Sequence, residues 1–419
     1  MQTHESPLAV TIRPETPFAP AQGGDTHVVV ELEGLARPAT AERRPLNLAI
    51  VLDRSGSMAG GKLDIAKNAA LHLIHRLDAR DRVAVVIYDE DVELLIPSTA
   101  VTVDRLPALS MALAPVAPGG STNLEGGWHA GVRAVAGVME RMPGAIQRVL
   151  LLTDGLANVG VTDPGALTSL AKGAAAHGIV TSTFGVGADY DEQLLNAMAE
   201  AGAGNAYHIA TPERIHAIFQ EELAELMTVV ASGVSVRVTL PPDVTAHLRN
   251  PAIDAAYALP RVTIPIGFVS AGETPRLVLR VTLPSASPGS AHAIRATVRW
   301  QEGKGHAVAR AALSWDVAEA VGPRDPAVLA EVARQEAAQA RQKAYLHERA
   351  GDYAQAASTL RAASASIAAY APLEATGDMA SLESEAVEMA DGSSDMQRKR
   401  IYNDMNRIKR GKRIEPDRP

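Results

Sequence analysis

Residues 46–58 read LNLAIVLDRSGSM. The run from Leu46 to Leu52 is almost wholly apolar, and Asp53, Arg54, Ser55, Gly56 and Ser57 follow at once. A short apolar run of this kind reads as a strand buried on both faces inside a parallel sheet. Such a strand delivers the next residues to the carboxyl edge of the sheet, where open α/β folds hold their ligands. Here those residues include a carboxylate and two hydroxyls at alternate positions, all oxygen donors. Gly56 frees the loop backbone to curl them toward one point. Hard divalent cations such as Mg²⁺ select oxygen ligands of this type.

Two later segments extend the pattern: Gly119-Gly120-Ser121-Thr122-Asn123, and Leu150 to Gly155, which reads LLLTDG. With Asp53-x-Ser55-x-Ser57 in front of them, they resemble in order and spacing the metal-ion-dependent adhesion site of von Willebrand factor A domains. The resemblance covers residues 46–230 closely and the flanks loosely. It implies a metal held by Asp53, Ser55, Ser57, Thr122 and Asp154. Ser55 and Ser57 would bond directly, Thr122 directly or through water, and the two aspartates would bind or orient waters. The implied ion is Mg²⁺, with Mn²⁺ or Ca²⁺ as alternatives. Six oxygens around Mg²⁺ would leave at least one position to solvent. In the family a Glu or Asp of a protein partner takes it, so a binding module is expected and not an enzyme. The chain is most similar to the bacterial inter-alpha-trypsin-inhibitor and calcium-activated-chloride-channel-like branch. In comparable bacterial systems the partner is often a MoxR-type AAA+ ATPase.

Each residue also has a plainer reading. A Ser, Thr or Asp after a strand commonly caps a helix or turn. That reading loses ground because three segments occur together, with apolar strands before Asp53 and Asp154. Asn123 and Asn158 read as loop hydrogen-bonding residues, and Glu125 as a favourable charge in the first turn of a helix. A hydrolase alternative exists, since a buried strand ending in Asp resembles haloacid-dehalogenase-type phosphatases. There a second Asp two residues on is the general acid, but here that position is Ser55, which cannot serve in that role. No G-x-S-x-G elbow or HExxH spacing is present. A third alternative is self-assembly, with an acidic loop or the basic tail reaching a neighbouring copy.

Outward from the opening stretch, residues 44–231 alternate strands and helices, which predicts a doubly wound, mostly parallel, Rossmann-like sheet. Helices are expected over 62–77, 124–141, 164–177, 191–201 and from 211 to about 230. Asp163 is the expected N-cap of the third, with Pro164 in its first turn. Strands are expected over 83–88, 92–96, 149–152, 179–186 and 206–209, with 92–96 antiparallel because only three residues precede it. The strands carrying Asp53 and Asp154 should be neighbours where strand order reverses. Residues 1–43 carry two alternating strands, and residues 232–318 return to alternation at Val234, Val236, Val238 and Leu240. The economical arrangement is one β-sandwich built from both flanks, with the α/β domain inserted into it. Residues 323–372 read as an alanine-rich helical hairpin broken at Gly351-Asp352, which resembles one tetratricopeptide-type pair. One pair cannot bury its own face and should dock elsewhere on the protein. Residues 373–419 are acidic, then basic from Arg398 to Arg413, a helix and tail.

The chain has 419 residues and a formal charge of −8. That length allows two or three domains, and the mild charge argues against a protein built mainly to hold nucleic acid. With no cysteine, disulfides and thiolate-rich zinc sites are excluded. The first residues lack the basic and apolar regions of a signal peptide, and no run reaches the ~18–20 apolar residues of a membrane span. A cytoplasmic location is the resulting expectation.

Overall fold

The structure, a computed structural model, describes residues 6–36, 43–187, 189–250, 255–302, 305–370 and 375–390. The chain divides into two compact units, one from the middle of the sequence through Ser232 and one from the flanks. The first strands belong to the flanking unit: β1 (Leu8–Pro14), the two-residue β2 (Ala19–Pro20) and β3 (Gly24–Gly34).

The middle unit holds strands β4 (Leu46–Asp53), β5 (Arg82–Tyr88), β6 (Val92–Ala100), β7 (Ile146–Thr153), β8 (Ile179–Val186) and β9 (Ala203–Ile209). Its helices are α1 (Lys62–His75), α2 (Leu106–Leu113), α3 (Leu124–Met139), α4 (Pro164–Ala176), α5 (Glu192–Ala201) and α6 (Ile215–Thr228). The sheet order is β6-β5-β4-β7-β8-β9, parallel except for the β5–β6 pair. The chain therefore steps outward from β4 on one side, then returns to β7 and steps outward on the other. The reversal lies between β4 and β7.

Both of these strands are buried along their whole length, as an apolar run covered on two faces requires. Ala49 and Val51 of β4 and Val149 and Leu151 of β7 share a core with Trp128 of α3, Leu167 of α4 and Leu195 of α5. Helix α1 packs against β4 and α6. Two buried amides fix the register. Asn47 and Gln147 are paired neighbours on β4 and β7, and Asn47 Nδ2 donates to Gln147 Oε1 at 2.5 Å. A slip of one strand by one residue would put the two amides on opposite faces and separate them. At the start of β4, the buried Asp81 accepts from the Leu46 N–H at 2.9 Å and from Arg43. Helix α6 is tied to the sheet through the buried Glu222, which accepts from Ser182 Oγ of β8 at 2.7 Å and faces Arg148 of β7 at 3.5 Å.

The capping expected at Asp163 is present, with its carboxylate accepting from the Ala166 N–H at 2.7 Å. Helix α2 was not anticipated. Its sequence, LPALSMAL, is short and has no side-chain cap, so the local pattern carries little signal. Helix α6 ends at Thr228 and β10 starts at Val229, five residues before the alternation at Val234 becomes visible in the sequence.

The flanking unit continues with β10 (Val229–Thr239), β11 (Thr245–Leu248), β12 (Ala256–Ala258), β13 (Arg261–Ser270), β14 (Arg276–Leu283), β15 (Ala291–Glu302) and β16 (Gly305–Ala318). These form two sheets, ordered β1-β3-β14-β11 and β12-β13-β10-β15-β16-β2. Each contains strands from before and after the middle segment. Val30 of β3 pairs with Leu277 of β14, and Ala19 of β2 with Val317 of β16. A two-residue strand between prolines is invisible to a periodicity argument, and its pairing partner lies far along the chain. Helices α7 (Pro326–Arg349), α8 (Tyr353–Ala368) and α9 (Thr376–Ala390) close the described chain. Asp325 and Asp352 cap α7 and α8. An alanine-lined seam joins all three helices, and Val328 and Val332 of α7 pack on Val29 and Val278 of the first sheet. The basic segment from Arg398 to Arg413 lies outside the described residues. Among the described residues, no helix is long and apolar enough to cross a membrane.

Helix α3 lies close to the sheet at its glycines. A Cβ at Gly127 would fall 2.5 Å from the Tyr88 ring, whereas one at Gly137 on the exposed side would meet nothing within 4 Å. Gly127→Val should lower the unfolding free energy by about 1–3 kcal/mol, and Gly137→Ala should raise it by about 0.4–1 kcal/mol. Urea denaturation of the two variants measures both.

Candidate metal centre

Strands β4 and β7 run parallel and end side by side, with Leu52 opposite Leu152. The next residues, Asp53 and Thr153, meet: Thr153 Oγ1 donates to Asp53 Oδ2 at 2.5 Å. Asp154 follows at once. Both carboxylates thus sit at the switch point, on the carboxyl edge of the sheet, as expected from the sequence. Asp53, Ser55, Thr122 and Asp154 are buried, while Ser57 is exposed, so the cluster opens to solvent on the Ser57 side.

The loop after β4 turns back on itself. The Ser55 N–H donates to Asp53 Oδ1 at 2.7 Å, and Gly56 to Met58 form one turn of 3-10 helix whose Met58 side chain is buried. Ser55 Oγ and Ser57 Oγ lie 3.1 Å apart, and Ser57 Oγ donates to Asp154 Oδ1 at 2.6 Å. The Thr122 loop is laid against this turn by backbone bonds. The Gly56 N–H donates to Gly120 O at 2.9 Å, and the Gly119 N–H to Arg54 O at 2.6 Å. A Cβ built at Gly155 would stand 3.4 Å from Ser57 Oγ and 3.6 Å from Thr122 Oγ1. The three hydroxyls and two carboxylates named from the sequence therefore border one small space.

That donor set suits a hard divalent cation. In an octahedral Mg²⁺ shell with bonds of about 2.1 Å, neighbouring oxygens stand about 3 Å apart. The Ser55–Ser57 and Ser57–Asp154 separations of 3.1 and 2.6 Å bracket that spacing. Electrostatics points the same way. Burial pushes the Asp53 carboxyl up to about 6, against the lowering effect of its bonds from Ser55 and Thr153, and the neighbouring Asp154 charge adds to the rise. Two buried carboxylates side by side favour a cation between them or a proton on one.

The asparagines act as the plainer reading had them. Asn123 caps α3 by accepting from the Gly126 N–H at 3.0 Å. Asn158 Oδ1 accepts from the Thr122 N–H at 2.7 Å, and its own N–H donates to Thr122 O at 3.1 Å. The segment after Asp154 is thereby clamped to the threonine. Glu125 stands in the first turn of α3, 3.5 Å from His129. Two members of the cluster escaped the sequence reading. Thr153 could have been found by aligning the two strand ends in parallel, which sets it opposite Asp53. Lys62, whose Nζ lies 2.6 Å from Asp154 Oδ2, has no local signal, because its partner lies just after β7, far along the chain. Outside the cluster, Arg54 pairs with Asp89 at 3.2 Å, and exposed Glu90 accepts from the Ser121 N–H at 3.0 Å.

Comparison with known proteins agrees with the fold of the middle unit. The model of the von Willebrand factor type A domain matches residues 47–221. The uncharacterized protein YfbK of Escherichia coli (strain K12) is 30% identical over 248 residues, which cover 58% of this chain and 42% of that one. Inter-alpha-trypsin inhibitor heavy chain H4 of Homo sapiens is 27% identical over 197 residues, covering 44% of this chain and 21% of that one. The chain thus spans less than half the length of these curated relatives. A solved structure, von Willebrand factor type A from Catenulispora acidiphila, superposes with a TM-score of 0.72 at 20% identity, over 93% of this chain and 90% of that one. That likeness shows the fold. The parallel sheet with its reversal at β4 and β7, together with the family match, makes residues 47–221 a von Willebrand factor type A domain.

Proposed function

We propose that this protein is a metal-dependent protein-binding module in which Asp53, Ser55, Ser57, Thr122 and Asp154 hold Mg²⁺. When bound, the ion would supply an open coordination position for a Glu or Asp side chain of a protein partner. The observation that carries this reading is the convergence of three hydroxyls and two buried carboxylates at the solvent-facing edge of β4 and β7. Proteins with this domain commonly mediate protein–protein interaction, which supports a docking role over catalysis. The residues divide the work. Thr153 and the Ser55 N–H hold the two oxygens of Asp53. Asn158 holds the backbone of Thr122. Ser57 stands at the opening, where a partner's carboxylate would arrive. On the family resemblance, a MoxR-type AAA+ ATPase is the candidate partner, in the cytoplasm.

Metal binding should be visible as stabilisation. At a free Mg²⁺ or Mn²⁺ concentration about 100 times its dissociation constant, the unfolding free energy should rise by about 2.7 kcal/mol and fall back on adding EDTA. Asp53→Ala should abolish the gain, and Thr122→Ala should weaken Mn²⁺ binding by about tenfold or more. Equal Mn²⁺ binding by wild type and Asp53→Ala in calorimetric titration would overturn the metal assignment. Turnover of a phosphate or ester substrate that needs Mg²⁺ and Asp53 would overturn the docking role.

The pH dependence has a definite sign. The Asp53 carboxyl titrates near 6 in the folded chain, above its ordinary value of 3.8. In metal-free protein its contribution to stability is fully present below about 3.8 and is lost as pH rises through about 6. A cation competes with that proton. The stabilisation by Mn²⁺ should therefore be largest above pH 7 and shrink as pH falls through 6 to 5, as read from melting temperatures with and without the ion.

A further inference from the structure

Lys62 is the one cationic side chain among the described residues that is bonded to a carboxylate of the proposed metal set. It opens α1 directly after Gly60 and Gly61, whose φ angles of +73° and +96° turn the chain back toward the sheet. Its Nζ lies 2.6 Å from Asp154 Oδ2, with the Asp154 side chain fully buried and that of Lys62 29% exposed. The other oxygen, Asp154 Oδ1, accepts from Ser57. Asp154 is thus divided: one oxygen faces the hydroxyl cluster and the other is committed to the ammonium. Helix formation does not explain this placement. A cation in the first turn sits at the positive end of the helix dipole, where it is unfavourable, so the buried carboxylate is what holds it.

Resting on the metal reading above, we infer that Lys62 is a permanent internal counter-cation that makes metal and partner binding interdependent. With both aspartates ionised, Lys62 cancels one of their two charges before any metal arrives. A divalent ion then brings the centre to a net charge of plus one, where the carboxylates alone would have made it neutral. The nearby charges leave this balance in place. Arg54 is matched by Asp89, and Glu90 is exposed to solvent screening. A centre left one positive charge in excess holds its metal weakly alone and tightly with an added carboxylate. Lys62 thereby tunes the site for an acidic partner, so that metal and partner load together.

The test is calorimetric titration of the full chain with Mn²⁺, with and without saturating acetate as the carboxylate probe. Wild type should bind Mn²⁺ weakly, and acetate should tighten binding by about tenfold or more. Lys62→Met, which keeps the aliphatic stem, should bind Mn²⁺ about tenfold more tightly without acetate, and acetate should then add less than about threefold. Lys62→Arg keeps the charge and should behave as wild type. Absence of acetate coupling in wild type would overturn the inference whatever the variants do. So would Mn²⁺ binding by Lys62→Met that is no tighter than wild type. Asp53→Ala separates the two levels: if it binds Mn²⁺ as well as wild type, the metal assignment itself has failed. If Asp53→Ala loses Mn²⁺ while wild type shows no acetate coupling, only the role of Lys62 has failed.

Discussion

Two carboxylates end two adjacent parallel strands, and both are buried. That placement is unfavourable unless positive charge or hydrogen-bond donors meet them. The surroundings of the site answer this constraint. Asp53 receives Thr153 Oγ1 and the Ser55 N–H, and Asp154 receives Ser57 Oγ and the Lys62 ammonium. These donors do not remove the cost at Asp53, whose carboxyl remains pushed up to about 6 by burial. The strain is electrostatic and local, which is the usual signature of a functional site.

The rest of the middle unit serves to hold that arrangement still. The Asn47–Gln147 pair sets the register of β4 against β7, and register decides whether Asp53 meets Thr153 or misses it. Asp81 receives the Leu46 N–H and Arg43 at the opposite end of β4. Apolar packing of α3, α4 and α5 buries alternate residues of the same strands. The loops are pinned by backbone bonds between segments distant in sequence, Gly56 to Gly120 and Asn158 to Thr122. Short polar side chains then need no long reach, which suits serine and threonine as donors.

The flanking unit follows a different logic. Its sheets take strands from both ends of the described chain. Val28 and Val30 are buried opposite Leu279 and Leu277 of the neighbouring strand, and Val29 and Val278 between them are buried under α7. The alanine-rich helices bury small side chains in a close seam, and the valines of α7 give them an anchor on the first sheet.

Much of this was legible in one dimension. The run at 46–52 is apolar on every face because the strand is covered on both sides. Asp163 announces a helix start because a cap is satisfied within three residues. The carboxylate and hydroxyls at 53, 55 and 57 are close in sequence, so their chemistry is readable together. Periodicity failed where elements are short, as in β2 and α2, since two to eight residues carry too few repeats to register. The sequence by itself determined the α/β class of the middle segment and the five oxygen-bearing residues at its edge. Tertiary structure alone decided that Lys62 completes their surroundings, and which strands of the two flanks pair. Those outcomes depend on partners tens of residues apart or more, and burial and hydrogen bonding between such partners leave no trace in local spacing.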